Sequence, residues 1–155
     1  MTALKSLLFL IIAAGLGAGY IPLVLLPREP KVETGVFAYL ALPLCLLGGA
    51  MILRCFWEFT FRGRGTPAPI DPPRELVVTG LYRYVRNPIY VSVLIILIGY
   101  LLWFKTIWML AYAVLVFLIF HLFITLYEEP TLKKKFGAAY ENYCKSVPRW
   151  IPRVK

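Results

Sequence analysis

Residues 89–127 read IYVSVLIILIGYLLW, then FK, then TIWMLAYAVLVFLIFHLFITLY. Two apolar runs, of 15 and 22 residues, are parted only by Phe104 and Lys105. A two-residue linker suits an antiparallel return, so the stretch predicts a tight helical hairpin. At ~1.5 Å per residue the second run reaches about 33 Å, enough for a hydrocarbon core of ~30 Å. The first run reaches only about 23 Å by the same measure. Either its start is buried in protein near the membrane surface, or the bilayer thins there. Irregular backbone at membrane depth survives only inside protein or beside a wet cavity, so a cavity is expected at Arg86-Asn87-Pro88.

The rest of the chain agrees with a membrane setting. Its 155 residues suit one compact unit; 60% are hydrophobic and 16% charged, with a mean hydropathy of +0.73. Soluble domains carry roughly 25% charged residues. This composition argues against a disordered chain, a coiled coil or a nucleic-acid-binding arm. Two further apolar stretches, 6–26 and 35–61, precede the hairpin. The expected fold class is therefore all-α: a polytopic integral membrane protein with four transmembrane helices. The first stretch is read as a retained helix rather than a signal peptide, since no small-residue cleavage site follows it. Residues 1–61 hold two N-terminal spans. Residues 62–155 hold a loop, the hairpin at 89–127 and the tail at 128–155.

The net charge of +9 is not spread evenly. Of the 17 basic residues only Arg54 falls within an apolar stretch. The N-terminus, the second loop and the tail carry 13, against 3 in the other two loops. The positive-inside rule then puts both termini on the cytoplasmic side. In the tail Leu132, Phe136, Tyr140, Tyr143 and Val147 recur at helical spacing between lysines. That pattern predicts an amphipathic helix on the membrane surface, its basic residues meeting anionic lipids. For Lys133, Lys134 and Lys135 simple topological anchoring is the plainer explanation. The four prolines of 67–73 suggest a stiff surface loop. Three cysteines without metal-type spacing and a single histidine argue against a metal site.

Unusual polar residues converge at the open end of the hairpin. His121, Thr125 and Glu128 are spaced i, i+4 and i+7, one helix face. Ionisable groups at membrane depth usually face a partner or a cavity. His121 and Thr125 are thus candidate substrate-lining residues, although a neutral imidazole bonded to a neighbouring helix explains His121 equally well. Glu128 and Glu129 are unfavourable at a helix C-terminus unless a cation neutralises them, and Arg83, Arg86 or a cationic ligand would serve. On the second stretch Arg54 and Glu58 stand i, i+4. They form an internal ion pair or line a substrate groove.

Two blocks then carry a resemblance. The first runs from Gly65-Thr66-Pro67-Ala68-Pro69 through Leu76-Val77-Val78-Thr79-Gly80-Leu81-Tyr82-Arg83-Tyr84-Val85-Arg86-Asn87-Pro88-Ile89-Tyr90. The second is Glu128-Glu129-Pro130-Thr131-Leu132, then Phe136-Gly137, Tyr140, Tyr143 and Val147-Pro148. Together, and with a tight hairpin between them, they resemble the isoprenylcysteine carboxyl methyltransferase family in its short bacterial form, over residues 65–152. The resemblance implies a bacterial or archaeal cell membrane and S-adenosyl-L-methionine as methyl donor. By the family pattern Glu75, Leu76 and Val77 line the donor, Tyr82 packs on it, and Asn87, Pro88, Ile89 and Tyr90 cradle it. Glu128 holds a polar end of it. The pattern often has His where Asn87 stands, which removes a titratable group.

Methyl transfer is an in-line displacement that needs chiefly a near-attack geometry. Aromatic faces such as Tyr82, Tyr84 and Tyr90 suit a sulfonium cation. A carboxylate or thiolate acceptor needs no base, whereas an amine needs one, and Glu128, Glu129 or His121 would supply it. Arg83 and Arg86 match a carboxylate, and Arg83, Arg86 and Glu129 are the candidate catalytic set. For both arginines topological anchoring is an equal explanation. The expected partner is a lipophilic small molecule or lipid that reaches the site from the bilayer, with no nucleic acid and no metal. Two other readings stay open: an NADPH-dependent membrane reductase related to sterol reductases, whose C-terminal pattern residues 140–148 also match, and a non-enzymatic membrane scaffold.

Overall fold

A computed structural model describes residues 19–25, 35–61 and 75–153. The bulk of the first apolar stretch, the proline-rich segment and Arg62, Arg64 and Arg74 lie outside them. Every regular element among the described residues is helical. These are α1 (Ile21–Leu25), a 3-10 turn at Val36–Leu40, α2 (Ala41–Phe61), a 3-10 turn at Gly80–Arg83, α3 (Pro88–Phe104) and α4 (Ile107–Phe123). A π-helical turn at Ile124–Glu128 leads into α5 (Glu129–Phe136), and α6 (Ala138–Ser146) follows.

The hairpin forms at its expected place. Lys105 adopts the left-handed conformation (φ 45°) and its N–H bonds to Leu101 O, closing α3. Thr106 then caps α4, its hydroxyl accepting from Met109 N. Pro88 opens α3 at a position where its missing N–H costs nothing. Buried Asn87, Pro88 and Ser92 show that the start of this short helix is sunk in protein.

The seam between α2 and α3 is closely packed at two glycines. A Cβ added at Gly48 would lie 2.7 Å from Ser92 O and 2.6 Å from the Ile96 side chain. One added at Gly99 would lie 3.0 Å from Ala41 O and 2.7 Å from Cys45 Sγ. The pairing of 41 with 99 and of 48 with 92 makes the helices antiparallel. Small residues permit this approach, as in membrane helix pairs generally. The core beside it joins Ile52, Val93, Leu97, Met109 and Val116.

Two expectations change in detail. The fourth apolar stretch does not end near Tyr127: its helix runs on through the π turn to Phe136, 30 residues from Ile107. Pro130 cannot donate a backbone hydrogen bond, and the wide turn just before it absorbs the mismatch. The tail is two helices rather than one, broken where Gly137 takes φ +53°. Its apolar face is covered by protein: Tyr140, Tyr143 and Val147 are buried and pack with Leu76, Leu132 and Phe136.

Candidate active site

The 79–88 loop is held from both sides. From α2, Glu58 is 1% exposed, pairs with Arg54 at 3.1 Å and accepts the Thr79 hydroxyl at 2.8 Å. Gly80 follows at φ +58°, and a Cβ there would come within 2.6 Å of Glu58 Oε1. The Arg54–Glu58 ion pair is present, and through Glu58 the loop rests on α2. Next to it, Val77, Tyr82 and Cys55 form a buried cluster onto which Ile89 packs.

From the other side the tail straps the loop down. Tyr143 donates its hydroxyl to Tyr82 O (2.7 Å), Arg86 N donates to Pro148 O (2.9 Å), and Arg153 N donates to Tyr84 O (3.0 Å). Asn87 Nδ2 donates to Arg149 O at 3.2 Å. Burial pushes the Tyr82 and Tyr143 hydroxyls above the ordinary tyrosine range. Both therefore stay protonated at neutral pH, and Tyr143 stays a donor. The Arg86–Pro88 corner, expected to border a cavity, is covered by this strap.

The two adjacent glutamates face different partners. Tyr90, at the start of α3, donates its hydroxyl to Glu128 Oε2 at 2.8 Å and packs its ring 4.7 Å from Phe120. Glu129 lies between two guanidiniums: Arg149 grips it in a fork (2.8 and 2.7 Å), and Arg86 Nη1 lies 3.0 Å away. The forked bond holds Arg149 above its ordinary pKa. Arg86 also donates to Cys144 Sγ at 2.8 Å, while its Nε is buried with no hydrogen-bond partner among the described residues.

The structure thus gathers Tyr82, Arg86, Asn87, Pro88, Tyr90, Glu128 and Glu129 around one corner. Others stand aside. Arg83 is exposed and borders a shallow outer groove with Arg153 and Ser146. Glu75 is exposed, and Leu76 joins the tail cluster. Thr125 turns its hydroxyl back to His121 O in its own helix (2.7 Å). Among the described residues no group of His, Cys, Asp and Glu could hold a metal ion.

Arg149 and Trp150 were missed by the sequence reading. Trp150 Nε1 donates to His121 Nδ1 at 3.4 Å, and Phe117 stacks beside both rings. The sole sequence hint was a Pro-Arg-Trp run closing a basic tail.

A model of the phospholipid methyltransferase family matches residues 31–139, which takes in the loop, the hairpin and both glutamates. The chain belongs to that family. A methanethiol S-methyltransferase from Crocosphaera subtropica is 32% identical over 89 residues, 53% of this chain. The match covers only 31% of that relative's length. No solved structure matches the chain significantly. The matching family is named for phospholipids rather than for isoprenylcysteine. The two share methyl transfer in membranes, and the chain belongs on that footing to a membrane methyltransferase family. Among the described residues two helices, Ala41–Glu58 and Ile107–Phe136, are long and apolar enough to cross a bilayer, which agrees with that setting.

Proposed function

We propose that the chain transfers the methyl group of S-adenosylmethionine to a lipophilic acceptor at the membrane surface. The acceptor would be an isoprenoid-type carboxylate or thiol, or a lipid amine. The observation that carries the reading is the corner where Tyr90–Glu128 and Arg86–Glu129–Arg149 meet. The donor presents a carboxylate, an ammonium, ribose hydroxyls and a sulfonium, and the corner offers a counterpart for each. The orphaned Arg86 Nε suits the carboxylate. Glu128 suits the ammonium or the hydroxyls, and the Tyr90 ring suits the cation. When bound, the donor supplies an electrophilic methyl. The protein's share is to orient it, shield it from water behind the strap, and hold the acceptor in line.

The thiol relative supports counting thiols among the acceptors, and the family match supports counting lipids. Thermal unfolding of the detergent-purified chain with S-adenosylhomocysteine tests the reading. A ligand at 100 Kd that binds only the folded state adds about 2.7 kcal/mol. A clear rise in Tm is expected with S-adenosylhomocysteine and none with NADPH. Glu128→Ala and Tyr90→Ala should each abolish the rise. Stabilisation by NADPH alone would sink the proposal.

A further inference from the structure

The Trp150–His121 contact bears on which acceptor the site takes. The two rings lie 24° from parallel with centroids 6.2 Å apart, and Phe117 sits 5.0 Å from Trp150. An imidazole that accepts a hydrogen bond at Nδ1 carries its proton on Nε2. His121 is then a donor at Nε2, and its other nitrogen is occupied by the indole. The neighbouring carboxylates are engaged as well, Glu128 by Tyr90 and Glu129 by Arg86 and Arg149. This arrangement suits an acceptor that needs no base from the protein. An alkylamine and an alkyl thiol both hold their proton at neutral pH, but the small fraction of thiolate is by far the stronger nucleophile and can react without a base from the protein. A carboxylate would want a guanidinium, but Arg149 is gripped by Glu129 and the open Nε of Arg86 is assigned to the donor's own carboxylate. The three-ring wall, by contrast, suits a polarizable sulfur. Leu118 and Leu122, on the same turns of α4, are about half exposed and open this flank to lipid.

The geometry points to Trp150 as a positioning residue that fixes His121 as a hydrogen-bond donor to the sulfur of an apolar thiolate. This assignment rests on the methyltransferase reading and narrows its acceptor. In the step it serves, a sulfur lone pair forms the new S–CH3 bond as the methyl–sulfonium bond breaks. The breaking pair goes to the sulfonium sulfur, which leaves as a neutral thioether. The thiol proton has already gone to solvent.

The test compares octanethiol, octanoate and octylamine as matched eight-carbon acceptors for the purified full chain with S-adenosylmethionine. Octanethiol should be methylated at least tenfold faster than either of the others. Its pH profile should follow the thiol's own ionisation and move when a more acidic thiol replaces it. Trp150→Phe keeps a ring but loses the N–H. It should lower kcat/KM for octanethiol about tenfold, and should weaken the thermal shift given by octanethiol without donor, while the shift with S-adenosylhomocysteine stays. His121→Gln, which keeps a donor, should retain more activity than His121→Phe. Faster methylation of octylamine or octanoate, or a Trp150→Phe variant equal to the parent, overturns the assignment. Loss of the S-adenosylhomocysteine shift in the parent chain would instead overturn the broader reading.

Discussion

The seam between α2 and α3 and the strap over the 79–88 loop are held by opposite means. The seam works by shape: Gly48 and Gly99 let backbone approach backbone, with Ala41, Cys45 and Ser92 alongside. In hydrocarbon no hydrophobic gain accrues between helices, so close packing must hold them. The strap works by polar bonds, from Tyr143, Asn87, Arg86, Arg149 and Arg153. Each such bond contributes only about 0.5–1.5 kcal/mol net, because water offers a substitute. The contrast implies that changes in the seam act on stability alone, whereas changes in the strap act on site geometry as well.

The largest expected effect is at Glu129, the one group that ties α5 to both arginines. Removing one partner of a fully buried pair costs about 3–5 kcal/mol. For this partly exposed cluster Glu129→Ala should cost about 2–3 kcal/mol by the same reasoning. Methyl transfer should fall on the order of 100-fold, since small misplacements of reacting groups cost that much. A normal rate and Tm would show that the strap is not one network. Gly48→Ala comes next. Overpacking should lower stability by about 1–3 kcal/mol in detergent unfolding. S-adenosylhomocysteine affinity should stay within about twofold, a shift of only ~0.4 kcal/mol. A loss of affinity matching the loss of stability would break the division between seam and strap.

Asn87→Ala deletes a single strap bond and should cost about 1 kcal/mol. Its effect on S-adenosylhomocysteine binding should exceed its effect on Tm, and the reverse result would make Asn87 a folding residue. The smallest effect is expected at Lys133→Ala. Lys133 meets Glu141 at 2.8 Å, but both side chains are largely in water. Such pairs contribute little, so the melting curve should not move.

Much of the scaffold could be read from local sequence. Phe104-Lys105 marked the hairpin turn, because a two-residue linker acts on its own backbone. The corner of Asn87, Tyr90, Glu128 and Glu129 was legible from the hairpin, whose open end brings the two segments together, while the part each residue plays there came only from the resemblance. What escaped depends on distant partners or on backbone detail. Arg149 is placed by Glu129, twenty residues earlier. Trp150 is placed by His121, 29 residues earlier. The π turn and the break at Gly137 interrupt a pattern that periodicity alone continues smoothly. The apolar tail residues were visible, yet their pattern is the same whether lipid or Leu76 covers them.

The unbroken run from Ile107 to Phe136 makes the molecule a kind of depth gauge. Thirty residues at ~1.5 Å extend about 45 Å, against a hydrocarbon thickness of ~30 Å. The apolar portion, residues 107–127, uses nearly all of that thickness, and Glu128 comes immediately after it. Where the carboxylates stand relative to the headgroups is therefore set by the ratio of a fixed rod to a variable film. A thicker membrane draws them toward the lipid, and a thinner one lifts them into water. For the methyl transfer proposed above, lipid chain length then becomes a setting of the chemistry rather than a passive surrounding.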